Sequence, residues 1–174
     1  MTAERIVEMP EGVTAEMKGT CLCISGPKGN LERDMHYPKI AIAIRDNNFV
    51  VSTESTRKRI VAMVGTYAAH ARNMCRGVAE GYNYKMKVVY SHFPIQLKQS
   101  GDKLEIVNFL GEKESRFASV PDGVTLKLGN DEITVSGINK EAVGMTAARI
   151  EHATKVGNRD TRVFQDGVYI IEKA

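Results

Sequence analysis

Apolar and polar residues alternate along most of this chain, and two stretches change to a helical period. Val13, Ala15 and Met17 alternate, Lys18-Gly19-Thr20 turns, and Leu22 and Ile24 return on the same face. After Gly26-Pro27-Lys28-Gly29 more strands are expected. Ile40, Ile42 and Ile44 alternate, Asp46-Asn47-Asn48 reverses the chain, and Phe49-Val50-Val51 follows. From near Ser55 the apolar set becomes Ile60, Met63, Val64, Tyr67, Ala68, Ala71, Met74, Cys75 and Val78. That i, i+3, i+4, i+7 spacing predicts a long helix packed along one face. Its other face is small or basic: Ala62, Gly65, Ala69, Arg72 and Arg76. Gly77 and Gly81 mark its exit.

Alternation then resumes with Met86, Val88 and Tyr90, continues in Ile95 and Leu97, and turns at Ser100-Gly101-Asp102 before Leu104 and Ile106. A further hairpin runs through Val124, Leu126 and Leu128, a Gly129-Asn130-Asp131 turn, and Ile133 and Val135. A second helix opens after Asn139, a favourable N-cap. Val143, Ala147, Ile150 and Ala153 give its buried stripe, and Gly157 reads as its C-terminal stop. Val168-Tyr169-Ile170-Ile171 forms a last strand.

The chain repeats itself. Met9-Pro10-Glu11-Gly12-Val13-Thr14 reads again, 111 positions on, as Val120-Pro121-Asp122-Gly123-Val124-Thr125. In that register Met17 faces Leu128, Leu22 faces Ile133 and Ile24 faces Val135. The helices correspond at a different offset, Val64-Gly65-Thr66-Tyr67-Ala68-Ala69 matching Val143-Gly144-Met145-Thr146-Ala147-Ala148. The expected fold is α+β, with two tandem similar units from an internal duplication. Each unit is a mainly antiparallel sheet packed by one helix, the units spanning residues 1–81 and 82–174 about a boundary at Gly81-Tyr82-Asn83. The two offsets imply that extra strands follow the hairpin in the first unit and precede it in the second. A helical Gly costs about 1 kcal/mol relative to Ala. Gly65 and Gly144 at matching places therefore point to close approach of the helix backbone to sheet or partner.

Composition narrows the class. The 174 residues suffice for one ordinary domain or two very small ones. No run approaches the ~18 apolar residues of a membrane span. Met1-Thr2-Ala3-Glu4-Arg5 lacks the start of a signal peptide. Cys21, Cys23 and Cys75 form no even disulfide framework, which points to a reducing, cytosolic setting. Net charge is only +3, but residues 54–87 carry Arg57, Lys58, Arg59, Arg72, Arg76, Lys85 and Lys87 against Glu54 and Glu80. Such a stripe suits a polyanion, and a solvated helix face gives the same signal.

Catalytic motifs are absent: no P-loop, G-x-S-x-G, H-E-x-x-H or dinucleotide fingerprint occurs. His36, His70, His92 and His152 lack metal-ligand spacing. Cys21 and Cys23 share a strand face, an arrangement open to metal or redox use, but read as ordinary packing, with Glu132 and Thr134 as their counterparts in the 111-residue register. Gly26-Pro27-Lys28-Gly29 has the form of a nucleic-acid-clamping GXXG loop, yet it leads from strand to strand and reads as a turn. Lys155-Val156-Gly157-Asn158-Arg159-Asp160-Thr161-Arg162 is basic and follows a helix. It either complements the helix dipole or contacts phosphate. Tyr90-Ser91-His92-Phe93-Pro94 is either a bend fixed by Pro94 or an exposed corner offering Ser91 and His92 to sugar or phosphate.

Several strings together carry a resemblance. They are Gly26-Pro27-Lys28-Gly29-Asn30-Leu31, Asn73-Met74-Cys75-Arg76-Gly77-Val78, Tyr90-Ser91-His92-Phe93-Pro94, Asn108-Phe109-Leu110-Gly111-Glu112-Lys113, and the stretch from Arg159 to Tyr169. Over its whole length the chain resembles the large ribosomal subunit protein six family, in its archaeal type. That resemblance implies a non-catalytic cytoplasmic ribosome constituent. It would bind large-subunit rRNA mainly through the C-terminal unit, near the sarcin–ricin loop, with neighbouring ribosomal proteins and translation GTPases close by. No cofactor, metal, membrane or small-molecule substrate is implied. The residues it marks for RNA contact are Lys155, Arg159, Arg162, Lys173, Ser91, His92 and Lys113. Thr161 and Met145 depart from the family's archaeal pattern, where Pro and Gln are frequent. Rival readings are a free-standing RNA-binding adaptor of the same fold and a small enzyme using His92 or Cys75.

Overall fold

The computed structural model describes residues 3–45 and 47–173. Asp46 of the expected Asp46-Asn47-Asn48 turn, and Met1 and Thr2 of the N-terminal segment, lie outside them. The elements run β1 (Ala3–Glu8), β2 (Thr14–Lys18), β3 (Cys21–Gly26), β4 (Gly29–Asp34), β5 (Ala41–Arg45), β6 (Asn48–Thr53) and α1 (Lys58–Ala79). They continue as β7 (Tyr82–Val89), β8 (Gln96–Ser100), β9 (Lys103–Val107), a 3-10 turn (Phe109–Gly111), β10 (Arg116–Ser119), β11 (Val124–Leu128), β12 (Glu132–Gly137), α2 (Lys140–Ala153) and β13 (Gly167–Lys173). The chain divides into two compact units, Met1–Gly81 and Tyr82–Ala174.

In the first unit two antiparallel three-stranded sheets, β1-β6-β5 and β2-β3-β4, bury their inner faces with α1. Val7, Leu22, Ile24, Phe49 and Val51 meet Val64, Tyr67, Ala68, Ala71, Met74, Cys75 and Val78 there. The helical stripe legible in the sequence is thus the buried face, while Ala62, Gly65, Ala69, Arg72 and Arg76 are exposed. Gly81, at φ 77°, adopts the left-handed conformation just past the helix end. The second unit uses a four-stranded sheet, β11-β12-β7-β13, and a three-stranded one, β10-β9-β8. Met86, Leu104, Ile106, Ile133, Val135 and Val168 enclose Val143, Ala147 and Ile150 of α2. The Asn139 side chain caps α2, accepting from Glu141 N at 2.9 Å and Ala142 N at 3.4 Å.

The duplication is present, but its register differs from the 111-residue match. Element order is the same in both units: β1 to β6 and α1 correspond to β7 to β12 and α2. Leu22 and Ile24 therefore match Leu104 and Ile106, 82 residues on, and Phe49 and Val51 match Ile133 and Val135, 84 residues on. All eight are buried or nearly so. The extra strands expected on opposite sides of the hairpin dissolve in this register.

The 111-residue recurrence has its own physical cause. Val13 N donates to Pro10 O at 3.2 Å and Val124 N to Pro121 O at 3.4 Å, with φ 79° at Gly12 and 80° at Gly123. Both segments are the same Gly-requiring type II turn, used once to enter β2 and once to enter β11.

Three further expectations change. Gly157 does not end α2 in a left-handed conformation; the helix closes at Thr154. A Cβ at Gly65 would face open space, and one at Gly144 would meet only the Tyr84 ring at 3.8 Å, an ordinary contact, so neither marks a tight helix–sheet approach. Strands β1 and β10 were not expected. The first has one buried residue, Val7, in a polar run, and the second is four residues long with only Ala118 buried.

Candidate nucleic-acid interface

Two buried polar groups fix the loop that joins α2 to β13. The Thr154 hydroxyl donates into the last helical turn, lying 3.3 Å from Ile150 O and 3.1 Å from Glu151 O, and accepts Val168 N at 3.0 Å. At the other end, the fully buried carboxylate of Asp166 accepts Ser91 N at 3.1 Å and His92 N at 3.4 Å. Its Oδ1 also lies 3.4 Å from His92 Nδ1. A carboxylate taken out of water needs such donors. Asp166 thereby ties the Tyr90–Pro94 corner to the C-terminal loop.

Phe164 adds an aromatic centre. The His92 ring packs on it with centroids 4.8 Å apart and an interplanar angle of 32°. The Arg159 guanidinium lies 4.9 Å from the same ring centroid, at cation–π distance.

The connection between β9 and β10 supplies the third element. Asn108 and Leu110 take left-handed φ values of 61° and 51°, and Gly111 takes 75°. A Cβ on Gly111 would stand 3.2 Å from the Phe93 ring, so this glycine lets the corner and the connection pack together. Asn108 Nδ2 donates to Pro94 O at 3.1 Å. Beyond it, Arg116 forks the Glu112 carboxylate at 2.6 and 2.7 Å. The same guanidinium donates to Ala153 O at 2.9 Å and Lys155 O at 3.0 Å, and lies over the Phe109 ring at 4.3 Å. It closes the C-terminal end of α2 and holds the start of the basic loop. The hydrogen bond from Arg116 lowers the Glu112 carboxyl below its ordinary range, with the charges of Arg116 and Arg159 adding to it against partial desolvation.

Most of the residues marked from sequence thus gather on three connected loops: Ser91 and His92 on the corner, Lys113 on the β9–β10 connection, and Lys155 and Arg159 after α2. All five are exposed. Arg162 shares the last loop but turns back on Asp160, whose Oδ1 accepts Arg162 N at 2.9 Å and lies 3.4 Å from Nε. Its side chain is 91% exposed, so solvent screens this pair and it is weakly held. Lys173 stands apart. It pairs opposite Tyr84, six residues along β13 from Gly167, or about 20 Å at strand spacing.

Asp166, Phe164, Arg116 and Asn108 were not marked from sequence as site residues. One signal was available: an acid set between the apolar Phe164 and Val168, at the end of a loop that also carries Lys155, Arg159 and Arg162, is a candidate internal acceptor.

The other candidates fall out differently. Gly26-Pro27-Lys28-Gly29 is the turn of the β3–β4 hairpin, with Gly26 paired to Gly29. Lys28 N donates to Val78 O at 3.0 Å and Lys28 Nζ to Glu80 O, so this loop closes the end of α1, as Arg116 closes α2. Cys75 is buried in the first core, out of reach of a substrate.

Comparison with known proteins agrees with this architecture. The family model described as Ribosomal protein L6 matches residues 9–81 and 93–167, segments whose starts lie 84 residues apart. A protein of Methanospirillum hungatei is 58% identical over 100% of this chain and 99% of its own length. One of Methanosarcina mazei is 49% identical over 98% of this chain and 97% of its own, and one of Methanothrix thermoacetophila 47% over 97% and 96%. Each bears the name large ribosomal subunit protein uL6.

Proposed function

The chain belongs to the ribosomal protein L6 family, and on that premise we propose that it is a structural, non-enzymatic constituent of the large ribosomal subunit that holds large-subunit rRNA through its second unit. The observation that carries the site is the convergence of Ser91, His92 and Arg159 on Asp166 and Phe164, with Lys113 and Lys155 on loops that Arg116 joins through Glu112 and Lys155 O. Lys and Arg on anchored loops neutralise phosphates without loop-ordering cost, while Ser91 and His92 offer donors to sugar or phosphate. Arg162 joins them on leaving Asp160. RNA recognition of this kind reads backbone shape rather than sequence.

The finer location follows from the resemblance: beside the sarcin–ricin loop and the translation-factor site, in cytoplasmic ribosomes, with other ribosomal proteins as neighbours. Among the described residues no helix is long and apolar enough to cross a membrane.

Binding of the full chain to a large-subunit rRNA fragment over a salt series tests the site. Arg159→Ala with Arg162→Ala should weaken binding and flatten the slope of log K against log salt by about one per lost phosphate contact. An unchanged affinity and slope would remove these residues from the interface.

A further inference from the structure

The outer face of the β2-β3-β4 sheet carries a cluster that the ribosomal reading does not use. Antiparallel register sets Glu16, Cys23 and Glu32 side by side in one row, and Lys18, Cys21 and Asp34 in the next. Cys21 and Cys23 are two apart on one strand, so their side chains share this face. A thiol Sγ from each cysteine and a carboxylate oxygen of Glu32 lie within 4.8 Å of one another. The corresponding positions on β9 are Lys103 and Glu105, so the set belongs to the first unit alone.

We propose that Cys21, Cys23 and Glu32 form a binding site for a thiophilic divalent cation of the zinc class. Zinc takes thiolate at about 2.3 Å and carboxylate at about 2.0–2.2 Å, which sets tetrahedral ligand atoms roughly 3.5–3.8 Å apart. Side-chain rotation of about an ångström brings the three donors from their present separation to that spacing. Water completes the coordination, or Glu16 from the other flank of Cys23. Both thiols give their protons to solvent as the metal enters.

Two thiolates select a soft or borderline ion over magnesium or calcium. A bound ion would clip β3 to β4 midway along their hairpin, at the Cys23–Glu32 pair. The site stands independently of the RNA interface.

Cobalt titration of the full chain, under a non-chelating reductant, tests it. The wild type should develop a thiolate-to-cobalt charge-transfer band in the near ultraviolet that saturates at one equivalent and is displaced by zinc. Zinc should also raise the thermal midpoint. Cys21→Ser with Cys23→Ser should abolish the band, and Cys75→Ser should leave it intact. Glu32→Gln, an exposed position that folding tolerates, should weaken binding by at least the roughly tenfold that losing an outer-shell partner costs. A wild-type chain without the band, a band that survives in the double serine variant, or Glu32→Gln binding as tightly as wild type would overturn the site.

Discussion

The carboxylate of Asp166 accepts the backbone N–H of His92 across 74 residues of sequence, and the two side chains also meet at 3.4 Å. Asp166→Ala strands the amides of Ser91 and His92, an expected loss of about 1–3 kcal/mol in urea unfolding. Asp166→Asn keeps the shape and one acceptor and should lose less. Both should weaken rRNA binding although every basic side chain remains. Wild-type RNA affinity in Asp166→Ala would mean that the corner and the basic loop act separately.

Arg116 makes a second prediction. Its planar fork holds Glu112, Ala153 O and Lys155 O at once, a geometry that lysine cannot copy. Arg116→Lys should therefore speed amide exchange at residues 154–160 and lower stability by about 1–3 kcal/mol. Equal exchange in the two proteins would show that Thr154 and Asp166 suffice to hold the loop.

The same pair sets a pH dependence. Glu112 has a folded-state pKa below its ordinary value of 4.5, so its contribution is full above that value and is lost as pH falls through the depressed one. Glu112→Gln should remove this part of the acid limb and leave the neutral and alkaline limbs unchanged. Because the carboxylate is 38% exposed, solvent screening keeps the effect small. An identical acid limb in the variant would contradict the assignment.

Two glycines should respond in opposite directions. Gly65 is exposed within α1 and a Cβ there meets nothing within 4 Å, so Gly65→Ala should stabilise by about 1 kcal/mol through helix propensity. At Gly26 a Cβ would stand 2.7 Å from Val78 Cγ2 and 3.0 Å from Val78 O. Gly26→Ala should cost roughly 1–3 kcal/mol as the hairpin is forced off α1. Thermal unfolding of both variants checks the pair, and a stabilised Gly26→Ala would refute the packing described.

Periodicity makes much of this fold legible in the sequence alone. The α1 stripe from Ile60 to Val78 and the Leu104/Ile106 alternation both follow from one buried face per element. Where little is buried, that signal fades, and β1 and β10 carry almost none of it. The repeat was legible but its register was not, because the Pro10–Val13 and Pro121–Val124 turns resemble each other more than the duplicated strands do. Turn geometry restricts residue type tightly, whereas core strands accept any apolar residue of suitable size, as Phe49 against Ile133 illustrates. At the site, positive charge was readable and its anchoring was not. Asp166 acts through contacts 74 and 75 residues away, which local sequence does not display.

On the proposed reading, the second unit holds this chain in the large subunit. Sucrose-gradient sedimentation of cell extract, at low and high salt, compares wild type with the Arg159→Ala, Arg162→Ala variant. Wild type should travel with the large subunit through moderate salt, and the variant should shift toward the light fractions at lower salt. Wild type mainly in the light fractions at low salt would contradict that anchoring and leave a free-standing RNA-binding protein of the same fold.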